Sequence, residues 1–237
     1  MSFADILRPV TDFLELGGPV VALLAVLSVV ALAVVILKLA QFWLERVGRP
    51  GRAEAAVRLW GHGRHREAWQ ALGDIRSASE EAVAIALQAG EAGTVDKALV
   101  EEEIARAATR RLHGFNRGMK ALDAIAQIAP LLGLFGTVLG MIEAFQKLQE
   151  AGNAVDPSLL AGGIWVALLT TAAGLAVAMP VSLVVTFLES RIEDEKVAIE
   201  TLASAVLLQQ ARGARAAAAD PLADTEAGGF ERVANAH

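Results

Sequence analysis

The chain has 237 residues, of which 54% are hydrophobic and 20% are charged, and its formal net charge is −6. The hydrophobic share is too high for an ordinary soluble domain, whereas the charged share excludes a protein that lies wholly in lipid. The absence of cysteine excludes disulfides and cysteine-based zinc or iron–sulfur sites. The acidic balance argues against a nucleic-acid-binding protein, because phosphate contacts require a basic surface.

The N-terminal 15 residues carry Asp5, Asp12 and Glu15 against only Arg8. A cleavable signal peptide requires a positively charged start before its apolar core, so we expect no removed leader.

Three apolar stretches without charge follow, at residues 16–37, 124–142 and 157–188. About 20 helical residues cross a bilayer core of roughly 30 Å, so the first two stretches fit one crossing each. The third is too long for an upright span and too short for two. We expect it to begin in the preceding loop or to run past the membrane edge, with a kink at Pro180. The predicted fold is all-α, with three transmembrane helices. Because tyrosine is absent, Trp43 and Trp165 are the candidate interfacial anchors.

Lysine and arginine set the predicted orientation, because positive charge stays on the cytoplasmic side of a membrane. Residues 38–120 hold most of these side chains, whereas the N-terminus and the loop after the second span offer Arg8 and Lys147. The N-terminus is therefore predicted outside, and the central loop and the tail inside. The predicted boundaries are a periplasmic N-terminus (1–15), a first span (16–38), a cytoplasmic helical loop (39–120), a second span (121–143), a short periplasmic loop (144–157), a third span (158–188), a cytoplasmic helical extension (189–212) and a disordered tail (213–237).

The central loop is predicted to be helical. Residues 53–60 and 66–72 are typical of short amphipathic helices, and residues 77–90 of another, with Ser77 and Glu80 at capping-box spacing. From residue 94 onward, apolar side chains recur at spacings of three and four up to Leu122. This stripe predicts one helix that enters the second span without a break. The third span is likewise predicted to continue through residues 191–210.

Thr137, Thr170 and Thr171 are the candidate site residues within the spans. A threonine in a membrane helix commonly bonds to a carbonyl one turn earlier and does nothing else. Alternatively, these hydroxyls form a polar ring that faces an ionisable group. No charged or histidine side chain lies well inside a span, so a partner would have to supply that group.

Close helix packing is predicted for the glycines of the second and third spans, because small residues let helices approach. These are Gly133, Gly136, Gly140 and Gly174. Pro130 and Pro180 are the candidate kinks.

Other polar clusters receive structural interpretations. His62 and His65 could in principle hold a metal, but an exposed turn is favoured, and we predict no metal site. Glu101, Glu102 and Glu103 are typical of a solvated helix face. Asp123 is assigned a snorkelling or capping role ahead of proton carrying. Because no catalytic motif is present, the chain is predicted not to be an enzyme and to need no cofactor.

Residues 129–142 (APLLGLFGTVLGMI) and 162–175 (GGIWVALLTTAAGL) resemble the second-span and third-span signatures of the MotA/TolQ/ExbB proton-channel family. Three spans with a large loop after the first resemble its ExbB and TolQ branch. The resemblance implies a homopentamer in the bacterial inner membrane that surrounds a dimer of a single-span ExbD/TolR-type partner, whose aspartate carries H⁺. A TonB/TolA-type protein would then transmit the work.

The same resemblance implies that Thr137 and Thr171 face the partner's helix, with a weaker claim for Thr170. The chain departs from the family pattern at Val166, where a glutamate is frequent. Two hypotheses therefore remain: a motor subunit, of ExbB or TolQ type, and a non-conducting membrane scaffold whose threonines only pack.

Overall fold

The computed structural model describes residues 3–93, 96–150 and 157–219, and each regular element in these ranges is an α-helix. The predicted all-α fold is therefore confirmed. The helices are α1 (Phe3–Leu44), α2 (Gly51–Gly61), α3 (His65–Leu72), α4 (Ala78–Ala92), α5 (Lys97–Asn116), α6 (Met119–Glu150) and α7 (Pro157–Ala219).

Within the described residues, three helical stretches are long and apolar enough to cross a membrane: Gly18–Leu44, one within Lys97–Glu150 and one within Leu160–Gly213. This agrees with the three predicted spans. The chain divides into two compact units. One consists of Met1–Trp43 and Phe115–Ser190, and the other consists of Leu44–Gly114 and Arg191–His237. We call the first the membrane unit and the second the loop unit.

In the membrane unit, α1, α6 and α7 pack around Val20, Leu24, Ala129 and Ala178. Large apolar side chains cover the outer faces of these helices, and Val29, Trp165 and Leu183 are 69%, 66% and 74% exposed. Such exposure is costly in water and favourable in hydrocarbon. The unit is therefore apolar on its outer faces as well as in its core, unlike a soluble bundle.

The prediction that one unbroken helix enters the second span is wrong. α5 ends at Asn116 and α6 begins at Met119, with Gly118 between them at φ +87°. A residue in this left-handed region ends an α-helix and favours glycine. The Phe115 carbonyl instead accepts a hydrogen bond of 2.9 Å from Nζ of Lys38, a buried side chain of α1. The apolar spacing continues across the break, where Phe115 and Met119 are both buried.

The loop unit contains the short helices predicted from sequence. α2, α3 and α4 contact one another, and their buried side chains include Val57, Trp60, Leu72 and Leu87. α4 begins with the predicted capping box: Ser77 Oγ accepts from the Glu80 amide, and the Glu80 carboxylate accepts from the Ser77 amide. The central loop is thus a folded helical unit.

The ends of the long helices differ from the predicted boundaries. α7 continues to Ala219, so the first residues of the predicted disordered tail are helical, because the alanine-rich run after Gly213 favours helix. The rest of the predicted tail, residues 220–237, lies outside the described residues. So do residues 151–156 of the predicted periplasmic loop. Pro130 and Pro180 lie inside continuous helices, and a departure from helical dihedrals occurs at Gly18 in α1.

Candidate functional site

The candidate site is the line of contact between α6 and α7, which we call the α6–α7 seam. At its centre, the backbones of α6 and α7 are in direct contact. A Cβ atom added to Gly174 would lie 2.6 Å from the Ala129 carbonyl oxygen and 3.1 Å from the Gly133 Cα. A Cβ atom added to Gly133 would lie 2.9 Å from the Thr170 carbonyl oxygen. Since a helix backbone cannot yield as a side chain can, these positions require glycine.

The seam continues along the next turns of both helices. A Cβ atom on Gly136 would meet the side chain of Thr170 at 2.7 Å, and one on Gly140 would meet Cβ of Ala167 at 3.1 Å. Gly163 lies against Ala144 in the same way. The four glycines singled out in the sequence therefore all lie in the seam.

Thr170 lies inside the seam and is only 2% exposed. Its hydroxyl is 2.7 Å from the Ala167 carbonyl of its own helix and 3.1 Å from the Gly133 carbonyl of α6. Its single proton can be donated to either oxygen. The hydroxyl is thus satisfied by carbonyls of the same chain, and the role predicted for Thr170 toward a partner stays a prediction.

Thr137 and Thr171 are partly exposed. The Thr171 hydroxyl is 3.3 Å from the Gly133 carbonyl, which is a long hydrogen bond, and Thr137 donates to the Leu134 carbonyl at 2.6 Å. Both side chains therefore keep accessible surface, and a hydroxyl oxygen that donates still has lone pairs for a further donor. Thr137 also lines a shallow apolar groove on α6 with Val138, Met141, Ile142, Phe145, Gln146 and Gln149.

The seam has no titratable group within the described part of the chain. Asp123 is exposed near the start of α6 and accepts a 2.9 Å hydrogen bond from Gln127. Val166 is a half-buried apolar residue of α7. Hydroxyls and carbonyls alone cannot store a proton near neutral pH, so the seam has no side chain of its own that could carry one among the described residues.

A second polar site, in the loop unit, was missed by the sequence argument. Glu195 of α7 has no exposed surface, and its two carboxylate oxygens accept hydrogen bonds from the Gly48 amide at 2.8 Å and the Ser79 amide at 2.6 Å. Ser79 lies in the first turn of α4, where amides lack helical partners and the helix dipole favours an anion. Glu195 occupies a position in the buried series Leu188, Ile192, Ile199 and Ala203. Its position within that apolar spacing is the sequence feature from which its burial could have been predicted.

Glu80 completes this site. It is also fully buried, its Oε2 accepts from the Arg76 amide at 2.8 Å, and its Oε1 lies 3.9 Å from Nε of Arg52. We call Ser77, Glu80 and Glu195 the α4 cap. Two buried carboxylates here fix α4 and α7 within the loop unit.

The histidines have local roles. Nδ1 of His62 is 2.7 Å from the Arg58 carbonyl, and the His65 ring stands edge-on to Trp60 at 4.0 Å between centroids. In the described residues no group of three or more His, Cys, Asp or Glu side chains is placed to hold a metal ion.

The fold and the seam together define a multi-pass membrane protein with three apolar helices. A family model described as the MotA/TolQ/ExbB proton channel family matches residues 74–201, more than half of the chain. The chain therefore belongs to the MotA/TolQ/ExbB proton channel family.

The similar proteins carry ExbB names. The biopolymer transport protein exbB1 of Vibrio cholerae is 45% identical over 85 residues, which cover 36% of this chain and 37% of that protein. The putative biopolymer transport protein ExbB homolog of Methanothermobacter thermautotrophicus is 29% identical over 194 residues, 81% of this chain and 67% of that protein. The biopolymer transport protein ExbB of Salmonella typhimurium is 35% identical over 96 residues, 40% and 39% of the two chains. The relatives indicate the ExbB branch.

Proposed function

We propose that this chain is the ExbB-like or TolQ-like subunit of an inner-membrane motor driven by the proton-motive force. The N-terminus lies in the periplasm and the loop unit in the cytoplasm. Copies of the chain, five in number, surround the membrane helices of an ExbD/TolR-type partner, and a TonB/TolA-type protein transmits the work. The family membership and the ExbB names of the relatives support this proposal.

The partial exposure of two threonines is the observation that links the seam to the proposed motor. Thr137 and Thr171 are partly exposed, while Thr170 is buried and its hydroxyl lies between two carbonyls of the same chain. Since the seam itself has no titratable group among the described residues, an acidic side chain of the partner must carry the H⁺. A hydroxyl beside that side chain stabilises it by hydrogen bonding while the proton is absent. Each H⁺ that crosses about 100 mV releases roughly 2.3 kcal/mol of free energy. Because this amount is small, the proposed motor would work in many small steps.

The non-conducting scaffold remains the second candidate, and two observations favour it. Val166 leaves α7 without an acidic group at the position where the family often has one, and the Thr137 hydroxyl bonds within its own helix. The scaffold requires only that the helices pack. It predicts that the partly exposed threonines are dispensable.

The deciding experiment replaces Thr137 and Thr171 by valine, singly and together, and measures partner-dependent proton uptake by reconstituted vesicles. Valine keeps the shape of threonine and removes its hydroxyl. The motor predicts a severe loss in the double variant, whereas undiminished uptake would favour the scaffold. Thr186→Val is the matched control, since Thr186 is an exposed threonine of α7 that bonds back to the Ser182 carbonyl at 3.0 Å.

Val166→Glu tests whether the partner's acidic group suffices. We expect partner-dependent uptake close to that of the unaltered protein, because the proton carrier is supplied in trans. A large gain would show that the chain lacks a group that conduction needs.

A further inference from the structure

The junction between α5 and α6 lies against the last turns of α1. The Phe42 and Phe115 rings are 5.8 Å apart between centroids, and Nζ of Lys38 bonds to the Phe115 carbonyl at 2.9 Å. A Cβ atom on Gly118 would lie 3.3 Å from Cε of Lys38. Residues 117–120 are therefore held beside the end of the first span, within the membrane unit.

Two cations at this junction are available for a partner. Arg117 and Lys120 are exposed, and neither forms an ion pair with another described residue. Lys38 is buried, and its Nζ is bonded to the Gln41 side chain and the Phe115 carbonyl, so it does not compete for a ligand. Asp123, one turn into α6, is the nearby acid on that helix, which leaves a positive surface.

By length and composition, this surface adjoins the ends of two candidate spans. The uncharged run of α6 begins directly after Asp123, and the first candidate span ends at Leu44. Trp43 is 70% exposed at that end, and tryptophan favours the interface between hydrocarbon and water.

An apolar stripe on α1 continues from this point. Leu32, Ile36, Leu39 and Trp43 are 58%, 57%, 41% and 70% exposed. Their spacing places them on one helix face, about 100° round the helix from the line of Lys38 and Phe42 that meets Phe115. The stripe therefore lies on the face of α1 next to the one that meets the junction, and it offers a surface for an acyl chain.

We propose that Arg117, Lys120 and Trp43 bind the headgroup of an anionic phospholipid of the phosphatidylglycerol type. The guanidinium group of Arg117 suits a phosphodiester, the ammonium group of Lys120 adds a second charge, and the α1 stripe takes an acyl chain. This site requires only that α1 and α6 lie in the membrane, so it does not depend on the motor proposal.

The test places the full chain in nanodiscs made from equal parts of phosphatidylglycerol and phosphatidylethanolamine. Native mass spectrometry then reads which lipid remains bound. The variant is Arg117→Gln/Lys120→Gln. Its matched control is Arg66→Gln/Arg212→Gln, which removes two exposed cations of the loop unit that form no ion pair with other described residues. Arg117→Lys/Lys120→Arg keeps both charges.

We expect the unaltered protein and the control to retain phosphatidylglycerol preferentially, and the Gln variant to lose about tenfold or more of that preference. The charge-keeping variant should retain most of it. Equal retention of both lipids by the unaltered protein, or no change in the Gln variant, would overturn the proposal. Displacement of the lipid by glycerol phosphate at equal concentration would also overturn it, because the ligand would then be a free phosphate.

If the Gln variant does not fold, the ionic strength during reconstitution is varied with the unaltered protein. Retention through surface charge falls as salt rises. Selective retention of phosphatidylglycerol that does not change with salt concentration would contradict the proposed site.

Discussion

The α6–α7 seam and the α4 cap hold helices together by opposite chemistry. In the seam, glycines bring two backbones into contact and threonine hydroxyls bond to carbonyls. In the α4 cap, fully buried carboxylates accept hydrogen bonds from backbone amides. In hydrocarbon, helices gain little from the hydrophobic effect and depend on close packing. A buried anion is tolerable where several donors surround it.

The seam and the α4 cap also differ in how much stability a substitution should cost. Loss of a carboxylate of the α4 cap leaves buried amides without acceptors and should cost the most stability, an added methyl group at a seam glycine causes steric overlap, and loss of a seam hydroxyl costs little. The predictions below follow that ranking from the largest effect to the smallest.

Glu195→Ala should have the largest effect on the loop unit. It leaves the Gly48 and Ser79 amides buried without an acceptor, which costs about 3 kcal/mol in local stability. Hydrogen–deuterium exchange of peptides that contain these amides should accelerate by about 100-fold. Glu193→Ala is the control, since Glu193 is an exposed neighbour on the same helix. Equal exchange in the two variants would mean that the carboxylate does not hold these amides.

Gly174→Ala should destabilise the seam by about 2 kcal/mol, because the added methyl group meets the Ala129 carbonyl and the Gly133 backbone. Gly162→Ala adds the same methyl group to α7 where no atom lies within 4 Å. That control should be neutral or more stable by up to about 1 kcal/mol, since alanine favours helix. Thermal unfolding in detergent measures both. If the two variants unfold alike, the close approach is absent.

Ser77→Ala should cost about 1 kcal/mol, because the first turn of α4 loses its side-chain cap. Ser204→Ala, at an exposed position of α7, should leave stability unchanged. Chemical denaturation followed by circular dichroism compares the two. A larger loss at Ser204 would contradict the assignment of the cap.

Thr170→Val should have the smallest effect, about 0.6 kcal/mol, because side-chain hydrogen bonds between membrane helices contribute little on average. The valine preserves the shape that fills the space beside Gly136. Thermal unfolding against Thr186→Val supplies the measurement. A loss as large as that of Gly174→Ala would show that the hydroxyl, and not the packing, holds the seam.

The sequence allowed the three apolar helices, the α2–α4 helices and the capping box to be predicted, because each depends on local spacing. The break at Gly118 was missed, because Phe115 and Met119 keep the apolar spacing across it and glycine alone is a weak signal. The burial of Glu195 was also missed, since a charged residue in a charged segment is normally solvated. Its partners come from Gly48 and Ser79, far away in the chain.

Within the candidate site, residue types were predictable but the orientation of neighbouring threonines was not. Thr170 and Thr171 are adjacent, and adjacent helical residues point about 100° apart. Only the packing of α6 on α7 decides that Thr170 is buried while Thr171 keeps exposed surface.

The most direct test of the motor proposal is to co-express this chain with the single-span protein encoded beside it and to measure the stoichiometry of the purified complex by native mass spectrometry. We predict a complex of five copies of this chain with two of the partner, weakened when Thr137 and Thr171 are both valine. A stable oligomer of this chain alone that ignores the partner would contradict the motor and favour the scaffold.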